Sequence, residues 1–201
     1  MKKILITGCA GFIGFHASQR FISEKFKVFG IDNLNDYYDV ELKKNRIKLL
    51  KKNKKFKFYK IDLTNNSQLK TLFKKYKFNY ILHLAAQAGV RHSFKHPEEY
   101  IDSNVLGFFN LIENIKSKKI INFVFASSSS VYGLNKKMPY REDHKCDSPS
   151  SLYAASKKMN ETLASSYSYL NKIKFTGLRF FTVYGPWGRP DMALFKFTKG
   201  I

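Results

Sequence analysis

Three glycines at three-residue spacing, Gly8, Gly11 and Gly14, stand directly after a short apolar run and constrain this chain more than any other feature. The run over residues 3–7 has the length of a buried strand, and residues 12–25 carry a helical period. A chain that turns from strand to helix through glycines leaves backbone N–H groups and the positive helix end facing one spot. Such a turn binds anions, and at a first strand–helix junction it suits the pyrophosphate of a dinucleotide. Its candidate contacts are Gly8, Gly11, Phe12, Ile13 and Gly14. The spacing is Gly-x-x-Gly-x-x-Gly, so the position of the turn carries more weight than the triplet itself.

Short apolar runs alternate with helical stretches along the remainder. Strands are expected over 28–31, 56–61, 80–84, 121–126 and 175–181, and helices over 40–53, 66–75, 97–117 and 151–170. Pro97, Glu98 and Glu99 suit the first turn of the long fourth helix. This alternation predicts an α/β fold with a doubly wound, mostly parallel sheet flanked by helices. With 44% hydrophobic residues, the chain can bury a core of that kind.

Asp32 ends the second run, eighteen residues after Gly14. A carboxylate there either accepts adenosine ribose hydroxyls, which favours NAD over NADP, or caps an Asp-Asn turn. Asn33 stands beside it. Asp62, next to Leu63, either meets the adenine or caps the following helix. The small residues of Leu84-Ala85-Ala86-Gln87 let a backbone pass beneath a dinucleotide. Farther on, Tyr153 and Lys157 are four apart and share a helix face. An ammonium near a phenol favours the phenolate, so the pair is expected to lower the Tyr153 pKa and make a general base. The serines 127–130 close the fifth run, where strand ends of such sheets meet their ligand. Ser128 can bridge the phenol and a substrate hydroxyl.

The 36 Lys and Arg outnumber 15 Asp and Glu, giving a formal charge of +21. Lysine dominates and no nucleic-acid motif accompanies it, so the excess is read as a solvated surface, with no nucleic-acid partner. The densest stretch, 43–60, holds nine lysines and Arg46 and is read mostly as an exposed helix face and loop. Two cysteines, no signal peptide and no run long enough for a membrane span predict a cytoplasmic protein without a disulfide framework. No metal-ligand set is read from the sequence.

Several stretches together resemble the extended short-chain dehydrogenase/reductases, specifically the nucleotide-sugar epimerases, and among them the UDP-glucuronate 4-epimerases. They are Gly8 to Gly14, the segment 32–38, the segment 83–91 (HLAAQAGVR), Ala126 to Gly133, Tyr153 to Lys157, and GLRFFTVYGPWGRPDM over 177–192. The resemblance implies a Rossmann sheet binding NAD and a UDP-sugar, with Ser128, Tyr153 and Lys157 catalytic and Tyr153 and Lys157 also contacting the cofactor. It implies that Tyr153 takes the sugar 4-hydroxyl proton, that a 4-keto sugar forms, and that hydride returns to its other face. Ser129, Ser130, Thr182, Arg91 and Arg189 would meet the substrate. Asn104 joins the cofactor side with a structural or relay role, and Phe180, with Phe181, either packs near the nicotinamide or fills the strand core. A homodimer through the helices at 97–117 and 151–170 is implied as well. The family continues well beyond position 201. The chain is therefore expected to hold an NAD-binding domain over 1–185 and the start of a substrate lobe over 186–201, truncated before most of that lobe. Alternatives are a 4-epimerase of a neutral UDP-hexose and an NAD-binding remnant without turnover. Related dehydratases carry Asp-Glu after the bridging residue, where Ser129-Ser130 stand here, and related decarboxylases a Glu that is absent between 127 and 132.

Overall fold

A computed structural model describes residues 1–200. Six strands form one sheet in the order β3-β2-β1-β4-β5-β6, every neighbouring pair parallel. The strands are β1 (Lys3–Thr7), β2 (Lys27–Asp32), β3 (Phe56–Lys60), β4 (Tyr80–His83), β5 (Asn122–Ser128) and β6 (Phe175–Phe180). The helices are α1 (Phe12–Ser23), α2 (Val40–Lys51), α3 (Asn66–Lys75), α4 (Pro97–Tyr100), α5 (Gly107–Glu113), α6 (Leu152–Asn171) and α7 (Ala193–Lys199). The strand order reverses at β1, between β2 and β4, which opens a crevice at the carboxyl ends of those strands.

Side-chain alternation along the strands divides the core into two layers. Leu5, Phe29 and Ile31 pack on one face with Phe108, Leu111 and Phe123. Ile4, Ile6 and Val28 pack on the other with Phe15, Ile47 and Leu50. The register pairs Leu5 with Phe29 and Ile4 with Val28, so each layer is continuous across strands. Both faces are covered, as a wholly parallel sheet requires.

The expected fold class is therefore the observed one, and three boundaries differ. The helix expected over 97–117 is not uniform: a π-helical segment, Ile101–Leu106, separates α4 from α5. There the backbone of Asn104 turns toward α6, and Asn160 Nδ2 donates to its carbonyl at 2.8 Å. The regular helix stops at Glu113, because the Asn114 side chain bonds Asn110 O and Asn66 at 2.8 Å each. Finally, β5 runs on through Ser127 and Ser128, so those serines belong to the strand. The lobe expected over 186–201 ends on Ile201, which lies outside the described residues. Among the described residues, no helix is long and apolar enough to cross a membrane.

Candidate active site

A cleft of about 850 Å³ runs along the carboxyl ends of the strands. One wall is the turn from β1 into α1. Gly8 has φ +69°, a conformation that favours glycine, and a Cβ there would sit 2.7 Å from Ala85 N. A Cβ on Gly14 would sit 2.1 Å from Gly8 O. The turn is thus a cradle that only glycine leaves open. Gly11 caps α1 without a side-chain hydrogen bond, and the first turn carries no acid. Its amides and dipole favour a phosphate-sized anion. Thr7 Oγ1 fixes the opposite lip by accepting from Leu84 N and Ala85 N at 3.1 Å each. That hydroxyl then donates to His83 Nδ1 at 2.8 Å. Burial and nearby Lys157 push the His83 ring down to about 3, so it stays neutral and accepts that bond.

Gly14→Ala is expected to destabilise the chain by about 1–3 kcal/mol, because backbone rather than a flexible side chain blocks the methyl. Urea denaturation would measure it, and an unchanged midpoint would contradict the packing described.

The second part of the wall is charged. Asp32 ends β2, and its carboxylate accepts from Ala10 N at 3.0 Å and Leu34 N at 2.9 Å. Burial pushes this carboxyl up, and the two amides with Lys43 and Arg46 pull it back. Asn33 Nδ2 donates to Asp62 at 2.8 Å. Desolvation would raise the Asp62 carboxyl, and bonds from Asn33 and Thr64 outweigh it, leaving it below its usual value. The cap of α3 is Asn65, not Asp62.

Two residues of this wall are missing from the sequence reading. Lys43 and Arg46 were placed on an exposed basic face, yet both are buried. Lys43 lines the cleft and donates to Asn35 O at 2.6 Å. Arg46, fully buried, donates to Ala10 O and Tyr38 Oη at 2.8 Å each and to Trp187 O at 2.6 Å. It thereby ties the glycine turn to the segment after β6. A signal existed: 43, 46, 47 and 50 are the buried positions of α2, an i, i+3, i+4, i+7 stripe in which two cations replace apolar residues.

The chemical wall is built by β5 and α6. Ser151 caps α6 by accepting from Ala154 N at 3.1 Å, which fixes where the helix begins. Tyr153 and Lys157 then project into the cleft one turn apart. Ser128 Oγ accepts from Ser130 N at 3.1 Å and is close enough to pull the Tyr153 phenol pKa down. Lys157 is 2% exposed, donates to Ala126 O at 2.9 Å, and is pushed down to about 8 by burial. The expected effect of this lysine on the phenol is corrected. Burial pushes the Tyr153 phenol up, and the downward pulls come from Ser128 and Arg189. The ammonium turns instead toward the strand carbonyl.

Ser127 faces another way and donates to Glu161 at 2.6 Å, itself held by Arg179 at 2.9 and 3.0 Å. Ser129, Ser130, Thr182, Arg91 and Arg189 all line the cleft, as do Phe180 and the exposed Phe181. Arg189 is paired with Asp191 at Nε–Oδ1 3.0 Å, and Tyr37 Oη donates to the same carboxylate at 3.2 Å. Every expected site residue reaches the cleft except Asn104. Asn104 lies one layer behind it, bonded to Gln87 N and O at 2.8 and 3.0 Å and to Ser156 Oγ at 3.0 Å. Its side chain is consumed by these partners, so it holds the Gln87 backbone rather than a ligand.

Residues 5–201 match the GDP-mannose 4,6 dehydratase family. The chain is 52% identical over 199 residues to Protein CapI of Staphylococcus aureus, covering 99% of this chain and 59% of that protein. It is 52% identical over 200 residues to UDP-glucuronate 4-epimerase 6 of Arabidopsis thaliana, covering 99% and 43%. A crystal structure of UDP-glucuronic acid 4-epimerase from Bacillus cereus, in complex with UDP-glucuronic acid and NAD, superposes with a TM-score of 0.91. Identity there is 37%, over 98% of this chain and 62% of that one. The chain thus spans at most about three-fifths of the length of these relatives.

Proposed function

Because the chain belongs to the GDP-mannose 4,6 dehydratase family, we propose that it is an NAD-dependent nucleotide-sugar 4-epimerase interconverting UDP-glucuronate and UDP-galacturonate. One observation carries this reading: a glycine cradle for a pyrophosphate and a Ser128–Tyr153–Lys157 group line the same cleft. The relatives named for UDP-glucuronate 4-epimerisation support it.

In this proposal the α1 turn, Gly8 to Gly14, holds the pyrophosphate. Asp32 and Lys43 take the adenosine ribose, and the Asp32 charge disfavours a 2′-phosphate. Asn33, Asp62 and Leu63 bound the adenine end, while Leu84 to Gln87 and Phe180 lie along the nicotinamide half. NAD, when bound, would supply the hydride acceptor and donor for C4 of the sugar. Tyr153 removes the 4-hydroxyl proton with Ser128 bridging, and gives the proton back when hydride returns. Residues 1–185 act as the dinucleotide domain, and 186–201 begin the substrate side. A cytoplasmic location agrees with two buried, free cysteines. The exposed apolar residues Ile101, Leu106, Phe109 and Met159 support a homodimer through α4–α5 and α6, which a monomer by light scattering would remove.

Epimerisation is preferred to dehydration for a chemical reason. The carboxylates lining the cleft among the described residues are Asp32, Asp62 and Asp191. The first two are at the ribose and adenine end, and Asp191 is neutralised by Arg189. No acid–base pair therefore stands beside Ser128 to expel a hydroxyl. The hydroxyls of Ser129, Ser130 and Thr182 can donate to a sugar carboxylate, which favours that group over a neutral hexose. Incubating the purified chain with NAD and UDP-glucuronate is expected to yield UDP-galacturonate, followed by chromatography, with no product from UDP-glucose. Product from UDP-glucose alone would overturn the substrate. Intact NAD binding with no product from either sugar would favour a cofactor-binding form without turnover.

A further inference from the structure

At the edge of the cleft, which His92 lines, three donor groups that the proposed chemistry does not use meet at the start of α4. His92 and His96 are one helical turn apart, a spacing fixed by the backbone bond from His96 N to His92 O at 3.1 Å. Their rings stack with centroids 4.4 Å apart and planes 23° from parallel. Glu99, in the first turn of α4, reaches both. Its Oε2 lies 3.0 Å from His92 Nε2 and its Oε1 3.7 Å from His96 Nδ1. The three ligand atoms all lie within 4.8 Å of one another. Ligands at zinc distances in a tetrahedron are separated by about 3.3 Å, so donor atoms this close together need only a local rearrangement to share one ion.

We propose that His92, His96 and Glu99 form a binding site for one borderline divalent cation of the Zn²⁺ type. Two imidazoles and one carboxylate suit such a metal, whereas Ca²⁺ and Mg²⁺ demand mostly oxygen ligands. Arg91 and Lys95 flank the donors in a chain of net charge +21. Field attraction is thus poor, and direct ligation by nitrogen must hold the ion. His96 and Glu99 are 47% and 43% exposed at the side chain, so the His96 ring is free to turn out of its stack on His92, which both imidazoles need in order to aim at one ion, and a fourth position is left to water. The bound ion would lock the loop ahead of α4 onto that helix. His92 packs 4.9 Å from the Tyr37 ring and 6.1 Å from Tyr100, and Tyr100 packs 6.1 Å from Tyr153. The site therefore fastens the wall that carries these aromatic rings.

The test uses the untagged 201-residue chain, freed of metal by chelator and titrated calorimetrically with ZnCl2. One equivalent is expected to bind in the micromolar range, and CoCl2 is expected to give the visible bands of a tetrahedral mixed nitrogen–oxygen site. His96→Ala and Glu99→Gln should each weaken Zn²⁺ binding about tenfold or more, with the metal-free melting temperature unchanged. No saturable binding up to millimolar Zn²⁺ would overturn the proposal. So would binding that survives both substitutions, or that is lost instead when His16 and His144 are replaced by Ala. Both cysteines are buried and do not compete.

Discussion

Tyr153→Phe is expected to cut UDP-galacturonate formation by about 10²–10⁴-fold, the usual contribution of a positioned proton-transfer group, while leaving NAD affinity nearly unchanged. The substitution removes one oxygen and keeps the ring, which packs edge-on to Tyr100 with centroids 6.1 Å apart. The cradle around Gly8 and Gly14 is built by other elements, so most of the cofactor's contacts do not involve the phenol. The pH dependence follows from the same group. Burial raises the Tyr153 pKa, so the phenolate fraction, and with it the rate, should climb as pH rises toward that value. The Ser128 hydroxyl pulls the pKa down, so Ser128→Ala should move the limb to higher pH and lower the rate near neutrality. Turnover by chromatography and NAD affinity by calorimetry separate the outcomes. Equal losses of both in Tyr153→Phe would mean a structural tyrosine, and an unmoved limb in Ser128→Ala would remove the bridging role.

Much of the fold was readable because the controlling signals are local. The Gly8 to Gly14 turn, the alternation of runs and the Ser151 start of α6 each depend on a few adjacent residues, and the sheet order follows from parallel connectivity. The wall composition of the cleft followed too, since strand ends in such a sheet converge on one edge. What escaped depends on long-range partners. Lys43 and Arg46 look like a solvated basic face until the Asn35, Ala10 and Trp187 carbonyls are seen to receive them. The π-helical turn at Ile101–Leu106 has no sequence signature of its own; it is stabilised by Asn160 and Gln87, from elsewhere in the chain. The influence of Lys157 on Tyr153 was misjudged for a related reason. An i, i+4 spacing predicts a shared face, but not that the ammonium would find Ala126 O first.

Lys157→Met is expected to stabilise the chain near pH 7 while it reduces turnover. Burial lowers the Lys157 pKa from 10.5 to about 8, so the folded state holds this proton less tightly than the unfolded chain does. This group's contribution to wild-type stability is therefore most favourable above pH 10.5 and falls as pH drops toward 8, where the cost of burying the ammonium becomes complete. A shift of this size corresponds to about 3 kcal/mol. Methionine fills a similar volume without the charge, but it leaves Ala126 O without its donor, which costs about 1 kcal/mol. A net gain of about 2 kcal/mol is expected below pH 8, or roughly 4–8 °C in Tm for a chain of this size. The gain should shrink as pH rises above 8, cross zero near pH 10 and become a loss of about 1 kcal/mol above 10.5, where the lysine is neutral in both states and only the lost Ala126 O bond remains. Turnover should fall, since the substitution removes the ammonium that holds the Ala126 carbonyl and frees the strand end that carries Ser128. Urea denaturation of both proteins from pH 6 to 10 decides the matter. A variant less stable than wild type at pH 7, or a difference that does not change with pH, would mean that Lys157 is not a destabilising buried charge and that its place in the cleft has a purely structural reason.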